Sequence, residues 1–88
     1  MSLRILSSPD PGPTLGALRE AIAKAIPGAD VVVEATSPGH FTIAVASEVF
    51  AGKSLVQQQQ LVYRAIAPLM AGDAAPVHAI DRLETRVR

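Results

Sequence analysis

Phe50-Ala51-Gly52-Lys53-Ser54-Leu55-Val56-Gln57 is the stretch around which the chain is built. A strand-like run leads in, the Gly-Lys-Ser turn breaks it, and Ser54 to Gln57 has the spacing of a capping box. There the hydroxyl accepts an orphan backbone N–H and the glutamine reaches back to the cap. A helix from Leu55 to about Met70 follows. With Leu55 as origin and about 100° per residue, Val62, Ile66 and Leu69 fall within about 40° of it and predict the core stripe. Gln59 lies inside this arc and is expected to be semi-buried, whereas Gln57, Gln60 and Arg64 point away and Leu61 lands on the polar side. Pro68 is expected to kink the helix or force a new turn, because its ring clashes with the carbonyl of Arg64. Gly72 is the expected stop.

Upstream, Val31-Val32-Val33 reads as a strand ending near Ala35. Phe41, Ile43 and Val45 alternate with Thr42, Ala44 and Ala46 in a second strand of period two. The four residues Thr36-Ser37-Pro38-Gly39 carry turn chemistry and join the two as an antiparallel hairpin. Earlier still, Leu15, Leu18, Ile22 and Ile26 recur at helical spacing. Thr14 is the expected cap and Pro27-Gly28 the stop, giving a helix over residues 14–26 with Glu20 supporting Lys24. The breaker-rich residues 1–13 predict an extended arm, with Leu3, Ile5 and Leu6 as candidate cover for a sheet edge. Downstream, Val77-His78-Ala79-Ile80 predicts a short third strand ending by Leu83, and residues 84–88 a polar tail.

A strand, a helix and another strand argue for a parallel pairing through a right-handed crossover. The order is therefore α-β-β-α-β: an α/β (α+β) domain over residues 14–83, with a three-stranded mixed sheet and helices on one face.

Eighty-eight residues, 49% of them apolar, suffice for one modest aliphatic core but no deep active-site cleft. Eight acidic residues balance eight basic ones, which counts against a dedicated nucleic-acid binder. The chain has no cysteine, so it supplies no disulfide, thiol nucleophile or thiolate ligand. No signal-peptide pattern and no apolar run of membrane-spanning length is present, and a cytoplasmic protein is the expectation.

Gly52-Lys53-Ser54 before a helix invites a phosphate-loop reading, but the first glycine of that motif would fall at Ser47. A tight turn at Gly52 and a cap at Ser54 account for the residues instead. His40 and His78 are the only histidines, no triad assembles around any hydroxyl, and Glu34, Glu48 and Asp81 read as scattered, solvated carboxylates. The chain is not expected to be an enzyme.

His40-Phe41, Ser47-Glu48, the run from Phe50 through Gly52-Lys53-Ser54-Leu55-Val56 to Leu61-Val62-Tyr63, and Val77-His78-Ala79-Ile80 together resemble the BolA-like family. The resemblance implies a class II KH-like fold, in agreement with the order derived above. It further implies a non-enzymatic accessory protein of iron–sulfur cluster trafficking and iron homeostasis. Such a protein pairs with a monothiol glutaredoxin and shares a bridging 2Fe-2S cluster, holding no cofactor when alone. On the glutaredoxin side the ligands are its own cysteine and a glutathione thiolate. On this side the resemblance implies His78 together with a Cys or His from the hairpin loop.

The sequence departs from that pattern at the loop, where Ser37 stands in the ligand position. His40 is the only nearby substitute, and it matches a histidine the family carries whether or not it binds metal, so ligand and structural roles both stay open. The partner-binding surface is expected to include Gly52, Lys53, Ser54 and Tyr63. The alternative implied function is a KH-like nucleic-acid-binding regulator of stress response and cell morphology, reaching DNA weakly through Lys53, Gln57, Gln60 and Arg64. Neutral Gln58, Gln59 and Gln60 replace the Arg-His-Arg of many relatives, a substitution that resembles the acid-stress-related subgroup. Alone, the chain is expected to be a monomer or weak homodimer.

Overall fold

Two helices lie against one face of a three-stranded mixed sheet, and the computed structural model describes residues 10–88 of the chain. The elements are α1 (Gly12–Ala25), β1 (Asp30–Ser37), β2 (His40–Ala46), a single 3-10 turn (Glu48–Phe50), α2 (Leu55–Met70) and β3 (Ala79–Arg86). The sheet order is β1-β2-β3, antiparallel between β1 and β2 and parallel between β2 and β3, with α2 as the crossover. This is the α-β-β-α-β order expected from periodicity, and it is compatible with a KH-like class II arrangement.

α1 begins two residues earlier than expected and is not capped by Thr14. Pro11 occupies the cap position and a second proline sits in the first turn, where no intrahelical donor is lost. The Asp10 carboxylate accepts the Gly12 N–H at 2.9 Å. The last residues of the expected arm are therefore helix, and Leu3, Ile5 and Leu6 lie outside the described residues. Leu18, Ile22 and Ile26 are sealed on the inner face. Glu20 and Lys24 do pair, at 3.8 Å, but both are well exposed, and such a pair contributes a few tenths of a kcal/mol at most.

The hairpin is tighter than the four-residue turn predicted. A bulge at Thr36 lets pairing continue to Ser37↔His40, leaving only Pro38 and Gly39 at the bend. Gly39 has φ +77°, the left-handed value glycine adopts without strain.

α2 has the predicted bounds, and its capping box is present. Ser54 Oγ accepts Gln57 N–H at 3.1 Å, and Gln57 Oε1 accepts Ser54 N–H at 2.9 Å. The helix is rotated from the expected stripe, however. Leu55 and Val56 are 59% and 61% exposed; Gln59 is half-buried as expected, but Gln58 is the buried glutamine. The inward positions are Gln58, Leu61, Val62, Ala65, Ile66 and Leu69, so Leu61 packs against the core and not on the polar side. Gln58 is tolerated there because both ends of its amide are used. Its Nε2 donates to Lys53 O at 3.0 Å, and its Oε1 accepts from Thr85 Oγ1 at 2.7 Å. Pro68 does not end α2, which runs on to Met70; Gly72, φ +87°, stands two residues beyond.

β3 also departs from expectation. Val77 and His78 are not strand, and pairing runs from His40↔Ala79 to Ala46↔Arg86, so the first residues of the expected polar tail form strand. Ile80, Leu83 and Thr85 are half-buried while Arg82, Glu84 and Arg86 face solvent, the pattern of a strand covered on one side. A second bulge leaves Asp81 without a β2 partner. The core is aliphatic apart from Phe41 and Phe50, and lies between the two helices and the inner residues Val33, Phe41, Ile43 and Val45. Among the described residues, no helix is long and apolar enough to cross a membrane.

Candidate functional site

Both histidines sit at the hairpin end of the sheet. His78 immediately precedes β3, and its backbone N–H donates to Gly39 O at 2.8 Å, a carbonyl that also receives the N–H of Ala79 at 3.1 Å. These bonds set the His78 side chain against the bend. A Cβ added to Gly39 would stand 2.6 Å from His78 Nδ1, so the ring occupies the space that glycine leaves free. Val77, one residue earlier, is 1% exposed and donates its N–H to Leu69 O at 3.2 Å, which anchors the approach to the end of α2. His78 itself is exposed. It edges a cleft of about 390 Å³ whose floor and walls include Pro38, Phe41, Pro76 and the start of α1 at Pro11 and Thr14.

His40 is the first residue of β2, paired with Ala79 across the parallel ladder. Its Nδ1 lies 3.0 Å from Asp81 Oδ1, and Thr36 Oγ1 donates to the other oxygen, Oδ2, at 2.9 Å. The hydrogen bond from His40 first, and that from Thr36 second, hold the Asp81 carboxyl below the ordinary aspartate range. Asp81 is thus not the isolated solvated carboxylate expected from the sequence. The three residues come from three strands, and two of them, Thr36 and Asp81, are the bulge residues flanking β2. The sequence signal for this cluster was available only through register: a parallel β3 paired at Ala79 brings the residues just after it beside His40.

The other expected site residues lie elsewhere. The Gly52-Lys53-Ser54 turn follows the far end of β2, roughly 20 Å away at about 3.3 Å per strand residue. Its geometry is explained locally, by φ +78° at Gly52 and by the capping box at Ser54. Lys53, Gln57, Gln60 and Arg64 do come together, lining with Leu61 a shallow cleft of about 240 Å³ on α2. Tyr63, 41% exposed, is not part of that cleft.

Among the described residues, no group of three His, Asp or Glu side chains is placed to hold a metal ion. With no cysteine in the chain, the nitrogen donors at the hairpin end of the sheet are the two imidazoles, with the Asp81 carboxylate beside His40.

Comparison with known proteins agrees with this architecture. A search of the curated proteins found no match. Among solved structures, BolA1 from Arabidopsis thaliana superposes with a TM-score of 0.70 at 23% identity, over 83% of this chain and 89% of that one. The solution structure of BolA1 from Mus musculus gives 0.66 at 29% identity, over 99% of this chain and 75% of that one. A Bol-like protein from Babesia bovis gives 0.59 at 25%, over 81% and 83%. The family model described as BolA-like protein matches residues 19–86, most of the 88-residue chain, and the chain belongs to the BolA-like family.

Proposed function

We propose that this chain is a non-enzymatic accessory protein of iron–sulfur cluster traffic that binds a monothiol glutaredoxin and contributes His78 to a shared 2Fe-2S cluster. The observation that carries the reading is the placement of His78: exposed, held against the hairpin bend by its contact with Gly39, and bordering a cleft. An imidazole sealed in the core or remote from the bend could not serve. The cluster is cargo, and imidazole in place of thiolate on one of its irons raises the reduction potential. The proposed interface is drawn around the histidine rim; Gly52, Lys53, Ser54 and Tyr63, also expected to bind the partner, lie at the other end of β2 or along α2.

The test is to mix the full chain with a cluster-loaded monothiol glutaredoxin and record visible circular dichroism. A new spectrum is expected with wild type and not with His78→Ala. Spectra identical to that of glutaredoxin alone, with wild type present in excess, would sink the proposal.

Among the described residues, the cleft lined by Lys53, Gln57, Gln60 and Arg64 is the feature that favours the nucleic-acid alternative. It holds two cations, so log affinity for duplex DNA against log salt would have a slope of only about −1.8. A steeper slope would require further phosphate contacts away from this cleft.

A further inference from the structure

We propose that the bare face of the sheet is a self-association surface, on which two copies of this chain stack face to face about a two-fold axis running along β2. The inference is independent of the cluster-sharing reading.

Register fixes what that face carries. Val33, Phe41, Ile43 and Val45 point into the core, so their neighbours along each strand point the other way. Pairing sets those neighbours in three rows across the strands: Glu34–Thr42–Arg82, Val32–Ala44–Glu84 and Asp30–Ala46–Arg86. Small side chains on β2 floor a trough of about 350 Å³ between the longer side chains of β1 and β3. The β1 wall is acidic, with Glu34 and Asp30 on either side of Val32, itself 58% exposed. The β3 wall presents Arg82 and Arg86 around Glu84, all three exposed.

Symmetry turns this charge pattern into a choice. A two-fold axis along β2, lying between the facing sheets, exchanges the walls but keeps each row at its own level. Glu34 then faces Arg82 of the second copy, Asp30 faces its Arg86, and each pairing occurs twice. The other in-plane two-fold, across the strands, stacks β1 on β1 and β3 on β3. It would set Asp30 against Glu34 and Arg82 against Arg86, like charge on like charge. The first arrangement is the self-complementary one, and it closes at two copies. Among the described residues, Glu34 and Arg86 have no ion-pair partner, while Arg82 is paired with Glu84 and Asp30 with Arg88. Aligned stacking at about 10 Å is an ordinary way for two sheets to meet. The rows span roughly 14 by about 23 Å, or about 300 Å² on each copy, against the ~800 Å² of a standard interface, so the association is weak.

Sedimentation equilibrium of the full chain, up to millimolar concentration and at low and high salt, tests this. Wild type is expected to form a weak dimer that loosens as salt rises. Glu34→Arg and Arg82→Glu are each expected to weaken it at least about tenfold, because the facing charges of that row become alike. Mixed in equal amounts, the two variants are expected to associate at least as tightly as wild type, since the all-basic row of one meets the all-acidic row of the other. Amide spectra check that each variant is folded. A chain that stays monomeric at every concentration would overturn the proposal and leave the face to a different protein or to solvent. So would a dimer that both substitutions leave unchanged, or a mixture that associates no better than either variant alone.

Discussion

Gly39→Ala separates the backbone role of the hairpin bend from its role in seating His78. At φ +77° an L-residue is strained by about 1–2 kcal/mol. The new methyl would also meet the His78 ring, at 2.6 Å from Nδ1, 2.8 Å from Cγ and 3.1 Å from Cε1. Cγ is the root of the ring, so turning the ring about χ2 leaves its clash in place, and the exposed His78 side chain must swing to another χ1 rotamer, with little added loss of stability. Gly28→Ala is the control: it has φ +68° and nothing within 4 Å of the added carbon, so it carries the backbone penalty alone. Both variants are expected to lose about 1–2 kcal/mol, which for a domain of this size is a fall in Tm of roughly 4–16 °C. Only Gly39→Ala is expected to shift the His78 ring resonances and to impair cluster retention with glutaredoxin. Thermal unfolding followed by far-ultraviolet circular dichroism, together with ring NMR, measures the two effects separately. If Gly39→Ala leaves the His78 resonances where they are in wild type, the ring does not occupy the glycine's space and the reasoning fails.

Gln58→Ala should cost about 1–3 kcal/mol in urea unfolding, because it strands the Lys53 carbonyl and the Thr85 hydroxyl, whereas Gln59→Ala should stay within about 0.5 kcal/mol. Equal effects would place the buried amide at the wrong glutamine. Ser47→Ala should cost about 1–3 kcal/mol: the fully buried hydroxyl donates to Pro27 O at 3.1 Å and accepts Val49 N–H at 3.1 Å, capping the 3-10 turn. A loss below about 0.5 kcal/mol would mean that neither bond matters. The Asp81 carboxyl should titrate below the ordinary aspartate range in the apo protein, because His40 and Thr36 hydrogen-bond its charged form. Its folded value is lowered, so its stabilisation is present above the unfolded-state pKa and is lost as pH falls through the folded one. Carboxyl carbon NMR checks this, and His40→Ala should move the titration upward; no movement would remove His40 as the main cause.

What could be read from the sequence was set by short-range chemistry. Ser54 and Gln57 define the start of α2 through bonds three residues apart, and the alternation of Phe41, Ile43 and Val45 defines β2 within its own length. What could not be read depends on how one element lands on another. Leu55 was a poor origin for the helical wheel because the first turn of α2 overhangs the core, and the inward face is set by where Gln58 meets Thr85 of β3. The end of β3, Glu84 to Arg86, looked like a polar tail because its outward residues are charged, and only pairing with β2 shows that Thr85 faces inward. Ser47, read against a phosphate-loop glycine, instead ties the end of β2 to Pro27 and Arg86, bonds that span the chain. The His40–Asp81–Thr36 cluster is the extreme case. His40 stands out alone, but Thr36 and Asp81 do not, and the two bulges that assemble the three are irregularities in pairing that no periodicity encodes. His78 was legible through its motif, but its seat on Gly39 was not. A glycine required by a tight turn and a glycine required to admit a ring leave the same letter in the sequence, and only the 2.6 Å approach tells them apart.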